Sequence, residues 1–327
     1  MTVGIRDVAR AAGVSTATVS RALGRGPVSD ALREQVEAAV KATGYRPNLS
    51  ARRLRSQAAR TIGLIVADIR NPFFTAVSRA VEDAAFASGL RVILCNTDED
   101  PAREAMYLRL MEEERVTGVI FAPTRVTLER LGARPLDFPV VLIDRAGPPG
   151  THDSVVLDNV TASAALVDHV VARGRRRIGG LFGATSTTAR ERQAGYEAAM
   201  RRHGLTPDIR TVAPNAAAAE DAAARWLAAP DRPEALVLSN GQILMGAVRA
   251  ARALGLAIPR DLALAGFDNE PWTDLIEPGL TVIEQPVAEI GAQAMQRLFE
   301  RIAQPDQPVR KIVLSGRLVA RGSTGTR

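Results

Sequence analysis

The side chains best suited to chemistry fall into two groups. The larger stands at the ends of apolar runs: Asp68-Ile-Arg-Asn-Pro-Phe-Phe74, Asp144-Arg145, Ser239-Asn-Gly-Gln242, Asp268-Asn269 and Glu284-Gln285. A sugar needs flat apolar surface for its ring and carboxylate, amide or guanidinium groups for its hydroxyls. Phe73 and Phe74 offer the first, and Asn71, Asp144, Arg145, Asn240, Asp268 and Gln285 the second. Singly, each also has a plainer reading: Asn71-Pro72 and Asp268-Asn269 suit turns or caps, and Phe74 suits a core. The smaller group is Thr16, Ala17, Ser20 and Arg21, close together near the amino end. An arginine presents a two-pronged donor to guanine O6 and N7, while Thr and Ala present a methyl to thymine. Both groups describe binding by hydrogen bonds and contact, with no nucleophile among them.

Other chemistries lack their residues. Cys95 is the single cysteine and cannot form an intramolecular disulfide; His152, His169 and His203 are too far apart for metal-ligand spacing. The motifs G-x-x-x-x-G-K-S/T, H-E-x-x-H and G-x-S-x-G are absent from the sequence, so neither an enzyme nor a metal or cofactor is expected. Arg6, Asp7 and Arg10 interrupt the apolar stretch a secretory peptide would need, and no apolar run approaches the ~18 residues of a membrane span. A cytoplasmic protein is expected. Of the 42 Lys and Arg and 36 Asp and Glu, residues 1–60 hold eleven against four, and the remainder 31 against 32. Forty of the 42 cations are Arg, which lifts the isoelectric point by residue type alone. The placement of the excess, not its size, is what points to a polyanion at the amino end.

The elements that carry these residues follow from periodicity. Ile5, Val8, Ala9 and Ala12 lie on one helical face, and Gly13 ends that helix. Ser15 caps a second helix over 16–23 that turns Val19, Ala22 and Leu23 inward, leaving Thr16, Ala17, Ser20 and Arg21 on other faces. A third helix, capped by Ser29, is lined by Ala31, Leu32, Val36, Ala39 and Val40 and stops at Gly44. Two short helices around a glycine with a third closing the core form a helix-turn-helix, whose second helix enters the major groove; a small helical interaction module is the alternative. Leu49 to Arg55 reads as a one- or two-turn helix that needs DNA or a partner to fold, or else as a basic linker. From Thr61 onward, strands near 61–67, 91–95, 119–122, 140–143, 178–182, 235–238, 262–267 and 280–283 alternate with helices, so parallel sheets in two successive α/β lobes are expected. In such sheets ligands bind beyond the carboxyl ends of strands, where the larger polar group stands.

Residues 5–23, then Val28-Ser29, Gly44-Tyr-Arg-Pro-Asn48 and Ala51-Arg-Arg-Leu54, resemble the DNA-binding segment of the LacI family of bacterial transcription regulators, and the rest is similar to that family's effector-binding core. The resemblance implies an α/β fold: a two-lobed periplasmic-binding-protein-like core with parallel sheets, preceded by a small all-α helix-turn-helix DNA-binding domain. It divides the chain into 1–47 for DNA binding, 48–60 as hinge helix and linker, and 61–327 for effector binding and dimerisation. It places Thr16, Ala17 and Arg21 against base edges, and Ser15, Thr18, Ser20 and Asn48 near phosphates. Leu54 matches a minor-groove wedge with Ala51 packed beside it. Asn71, Phe73, Phe74, Asp144, Arg145, Arg192, Asn240, Asp268 and Gln285 align with cleft-lining positions, the Phe73 and Asp144-Arg145 combination being nearest the ribose type. Gly241 stands where relatives usually carry an acid, and Ala213 to Ala219 lacks an aromatic that many place over the ligand.

A sequence-specific regulator is therefore expected, a repressor by preference. Its partners would be pseudo-palindromic operator DNA, a small-molecule effector of sugar or sugar-acid type, and a second copy of itself. The two arginines suit an acidic effector, since guanidinium pairs with carboxylate or phosphate by two parallel bonds. A sugar-binding transport component or a regulator with a purine-type effector are the alternatives. The carboxyl-terminal Gly322-Ser-Thr-Gly-Thr-Arg327 has no leucine heptads, so dimers rather than tetramers are expected.

Overall fold

The computed structural model describes residues 5–23, 28–44, 60–131 and 136–325, and the chain divides into two compact units, Met1–Ala59 and Arg60–Arg327. In the first, α1 (Ile5–Ala11), α2 (Thr16–Ala22) and α3 (Asp30–Thr43) surround a small core of Val8, Ala9, Ala12, Val19, Ala22, Val36 and Ala39. Ala31, expected to line α3's inner face, is exposed. It lies in the first turn of α3, away from the buried pair Val36 and Ala39. Gly44 ends α3 in left-handed backbone (φ 66°), the conformation a helix end takes most easily with no Cβ. With so few apolar atoms to bury, the short helices rely on side chains from α3. Gln35 Nε2 donates to Ala12 O (3.0 Å) and Arg33 Nη1 to Ala22 O (2.6 Å), satisfying carbonyls at the ends of α1 and α2.

The second unit holds two sheets of the same topology. In the first lobe, β1 (Thr61–Val66), β2 (Arg91–Asn96), β3 (Val119–Phe121), β4 (Val140–Ile143) and β5 (Asp153–Leu157) take the order β5-β4-β3-β1-β2. In the second, β6 (Ile178–Gly183), β7 (Asp208–Val212), β8 (Ala235–Leu238), β9 (Ala263–Phe267) and β10 (Thr281–Glu284) repeat it as β10-β9-β8-β6-β7. All of these neighbours run parallel. The last two strands are divided between the lobes: β11 (Lys311–Leu314) extends the first sheet beside β5, and β12 (Arg317–Val319) joins the second antiparallel to β10. The chain thus passes between lobes three times, near 158, 285 and 315.

Helices cover both faces of each sheet, which is why the strands read as unbroken apolar runs. In β1, Ile62, Leu64 and Val66 face α4 (Pro72–Ala87) and α12 (Val287–Ala303), while Ile65 faces the side of α5 (Pro101–Glu113) and α6 (Arg125–Arg130). In the second lobe α7 (Asn159–Ala172) and α8 (Thr187–Arg202) cover one face, α9 (Ala216–Leu227) and α10 (Gly241–Ala253) the other, and the short α11 (Pro271–Leu275) follows β9. The strands β5, β7, β11 and β12 and the helices α6, α9 and α11 add to the sequence reading. No helix among the described residues is long and apolar enough to cross a membrane.

Candidate effector cleft and DNA-reading helix

Ser15 adopts extended backbone and its Oγ accepts from Thr18 N (3.1 Å), which starts α2. Its hydroxyl also lies 2.8 Å from Thr18 Oγ1, so both polar groups are tied to the helix start. Val19 and Ala22 are buried, which leaves Ser15, Thr16, Ala17 and Arg21 exposed and Thr18 and Ser20 half-buried on the remaining surface. That surface carries the guanidinium fork, hydroxyls and methyls suited to a base-pair edge and its flanking phosphates. Asn48, Ala51 and Leu54, and with them the hinge segment 49–55, lie outside the described residues.

In the second unit, the ends of β1, β4, β8, β9 and β10, with Arg192 from α8, bring all nine cleft candidates to one cavity of ≈ 50 Å³ between the lobes. From the first lobe come Asn71, Phe73, Phe74, Asp144 and Arg145; from the second, Arg192, Asn240 and Asp268; Gln285 lies on a crossing segment. The plainer readings hold alongside. Asn71 caps α4, its Oδ1 accepting from Phe73 N (3.1 Å), and Asn240 caps α10, accepting from Ile243 N (2.8 Å). Each keeps its amide NH₂ for the cavity. Phe73 and Phe74 pack edge to face, ring centres 5.0 Å apart, and belong to the first-lobe core as well as to the cavity wall.

The two aspartates occupy equivalent places, each just after the fourth strand of its lobe, and both have left-handed backbone (φ 63° at Asp144, 79° at Asp268). Non-glycine residues adopt that region at a cost, and such strain concentrates at ligand sites. Asp268 is fixed by Gly241 N (2.8 Å) and Gln285 Nε2 (2.6 Å), so it also joins the second lobe to the crossing segment. Asp144 lies 3.2 Å from Arg145 Nε and 3.3 Å from Thr188 Oγ1. Burial pushes the Asp144 carboxyl above the usual range, opposed by Arg145 and Arg192.

Neither arginine is unengaged. Arg145 is buried; its Nη1 donates to Pro123 O (2.7 Å) and its Nη2 pairs with Glu99. Burial works against its charge, but Glu99 and Asp144 outweigh burial and raise the guanidinium's pKa. Arg192 lies 3.9 Å over the Phe267 ring and donates to Asn159 Oδ1 (2.8 Å) and Ser239 O (2.5 Å), and burial lowers its pKa. Sequence reasoning missed Glu99, Ser186, Thr188 and Pro214, which also line the cavity. The strand-end rule finds Glu99 once β2 is carried through Asn96 and Ser186 once β6 is carried through Gly183, whereas Thr188, on α8, enters only because the lobes face each other. Pro214 lies just before α9, in the stretch without an aromatic. The assembled groups can grip a polyhydroxylated molecule from both sides.

Comparison with known proteins accords with both parts. Residues 4–48 match the family described as bacterial regulatory proteins, lacI family, and residues 167–324 a periplasmic binding protein-like domain. The chain is 36% identical to the HTH-type transcriptional regulator PtxS of Pseudomonas plecoglossicida, over 99% of this chain and 96% of that protein. It is 33% identical to the ribose operon repressor of Escherichia coli strain K12, over 98% and 99% of the two chains. It superposes with TM-score 0.86 and 25% identity on the Lac repressor dimer bound to operator and the anti-inducer ONPF, covering 99% of this chain and 100% of that one. By its sequence along nearly its whole length, and by its fold, the chain belongs to the LacI family of bacterial regulatory proteins.

Proposed function

We propose that this protein is a cytoplasmic, homodimeric repressor that binds a pseudo-palindromic operator and loses or gains its hold when a sugar-type effector enters the cleft. The observation that carries the reading is the cleft itself: hydrogen-bonding groups from both lobes converge on one cavity, and its described lining holds no His, Cys or Lys to activate or serve as a nucleophile. Binding without turnover is the chemistry such a set supports. Residues 1–47 act as the DNA-binding domain, 48–60 as hinge and linker, and 61–327 as effector and dimerisation domain. In the head, Thr16, Ala17 and Arg21 read bases while Ser15, Thr18, Ser20 and Asn48 contact phosphates; Leu54, flanked by Ala51, wedges the minor groove.

An effector can alter DNA affinity only through a difference in its affinity for the two lobe arrangements, a coupling typically about 1–3 kcal/mol. Three crossings between lobes make a hinge through which closure reaches the amino end of β1, where the second unit begins. The test is fluorescence anisotropy of the full chain on DNA from its own promoter region, titrated with sugars, sugar acids and nucleobases. A shift of about fivefold or more with one class is expected. DNA affinity indifferent to every compound would instead mark a constitutive DNA binder, and chemical conversion of a bound sugar would mark an enzyme.

A further inference from the structure

Glu99 stands out in the cleft because the protein bends its backbone to place it there. Asp98 and Glu99 are both left-handed (φ 52° and 58°), two successive residues in a region non-glycine residues rarely adopt. Asp98 is held by Asn96 Nδ2 (2.9 Å) and by the guanidinium groups of Arg103 (2.5 Å) and Arg70 (3.4 Å). The bend aims the next side chain into the cleft. One Glu99 oxygen accepts from Arg145 Nη2, and the other accepts from Thr185 Oγ1 at 2.5 Å.

Arg145 belongs to the first lobe and Thr185 to the loop before α8 in the second, so this carboxylate bridges the cleft. Nearby, Thr188 Oγ1 donates to Asp144 O (3.1 Å) and Gln242 Nε2 to Arg70 O (3.1 Å), also between lobes. What Glu99 fills is a formed carboxylate subsite, with a buried guanidinium on one side and a hydroxyl donor on the other. Charge-assisted bonds of this kind are the strong ones.

We propose that Glu99 is a built-in occupant of the effector cleft: its carboxylate fills the anion subsite of Arg145 and Thr185, ties the lobes together, and gives way to the carboxylate of an acidic sugar derivative. The proposal rests on the regulator reading above and deepens it by naming the effector class and the group it competes with. Volume and charge argue for exchange. The cavity of ≈ 50 Å³ is far below the roughly 300–1,000 Å³ of ordinary ligand sites, so entry requires the lobes to part and the groups that tie them across the cleft, Glu99 among them, to let go. Glu99, with 16% of its side chain exposed against 2% for Arg145, has a path outward. A neutral sugar that expelled Glu99 would leave Arg145 buried without this charge partner, whereas an acid replaces one carboxylate by another.

The test uses the full chain and the variants Glu99→Gln and Glu99→Ala, each checked by thermal melting, in calorimetric titrations with D-gluconate, D-ribonate and D-glucose. In the parent at least one acid should bind about tenfold or more tighter than D-glucose, and removing the internal competitor should tighten that acid by about a further tenfold or more. A second readout needs no ligand. Fluorophores on Glu113→Cys and Arg225→Cys, one in each lobe, should report a longer distance in Glu99→Ala and in Thr185→Val. Unchanged or weaker binding of both acids in the Glu99 variants, a parent that holds D-glucose as tightly as either acid, or an unchanged distance overturns the proposal. Operator binding that still responds to a sugar while the Glu99 variants behave like the parent would overturn this proposal and spare the regulator reading. Lobes that part in Glu99→Ala, beside operator binding deaf to every sugar, would sink the regulator reading while the tie stands.

Discussion

Glu270 shows how much a single carboxyl can be shaped by its surroundings. It follows β9, receives the indole N–H of Trp272, and its other oxygen is buried without a hydrogen-bond partner among the described residues. A Cβ at Gly241 would come 2.5 Å from that oxygen, so the absence of a side chain at 241 is what gives Glu270 room. Burial, with Asp268 adding to it against Trp272, pushes the carboxyl up to about 7. Between the ordinary value of 4.5 and about 7, the native state holds a proton that the unfolded chain has lost, so stability falls as pH rises through that window. The loss is at most about 3 kcal/mol. Glu270→Gln should therefore flatten the pH dependence of urea unfolding between pH ~5 and ~7.5; a variant with the parent's slope would show that another group carries it. Asp268→Asn is the matching test of recognition, because Asn tolerates left-handed backbone and keeps an acceptor for Gly241 N. It should weaken effector binding by about tenfold or more and leave operator affinity in the absence of effector within about twofold. Loss of both would make Asp268 a structural residue only.

At the scale of elements, paired helices approach so closely that particular positions admit only glycine. A Cβ at Gly195 of α8 would run into the carbonyl oxygen of Val160 on α7, and one at Gly291 of α12 would stand 2.6 Å from Ala80 Cβ on α4. Arg192 lies less than one turn before Gly195, so the depth at which α8 packs decides whether its guanidinium reaches Phe267 and Ser239. Gly195→Ala should destabilise the chain by about 1–3 kcal/mol in urea, as overpacking does, and weaken effector binding beyond what lost stability explains. Parent-like unfolding would mean that α7 and α8 separate easily. Periodicity makes α4, α8, α10 and α12 legible because their apolar stripes are long. It does not mark α9, where a run of alanines blurs inward and outward faces, or β7, β11 and β12, which are short and carry charged residues.

For the whole molecule, the cationic excess of residues 1–60 and the nearly neutral remainder divide the work between gripping a polyanion and sensing a small molecule. Affinity for DNA should fall steeply with salt, as counterion release requires. Arg21 decides whether the grip is also specific. Arg21→Ala should cost about 1–3 kcal/mol on the preferred operator and relax the preference at one base pair, read by binding to a panel of single-site operator variants. An equal loss on every sequence would reassign Arg21 to a phosphate.

Composition and spacing along the chain were enough for the head's three helices, the alternating strands and helices of the body, and the polar residues at strand ends. These follow from local rules, in which side-chain period sets the element and the element sets where it stops. They suffice to mark Asn71, Asp144, Asn240, Asp268 and Gln285 as cleft candidates, since each stands just after a strand. Which partner each group meets was decided by tertiary structure. Glu99 reaches Arg145 across 46 residues and Thr185 across 86, and the two arginines that sequence suggested as waiting for an anion are already engaged by the protein. The physical reason is that hydrogen bonds and burial depend on segments brought together only by packing, and no pattern within either segment records its distant neighbour.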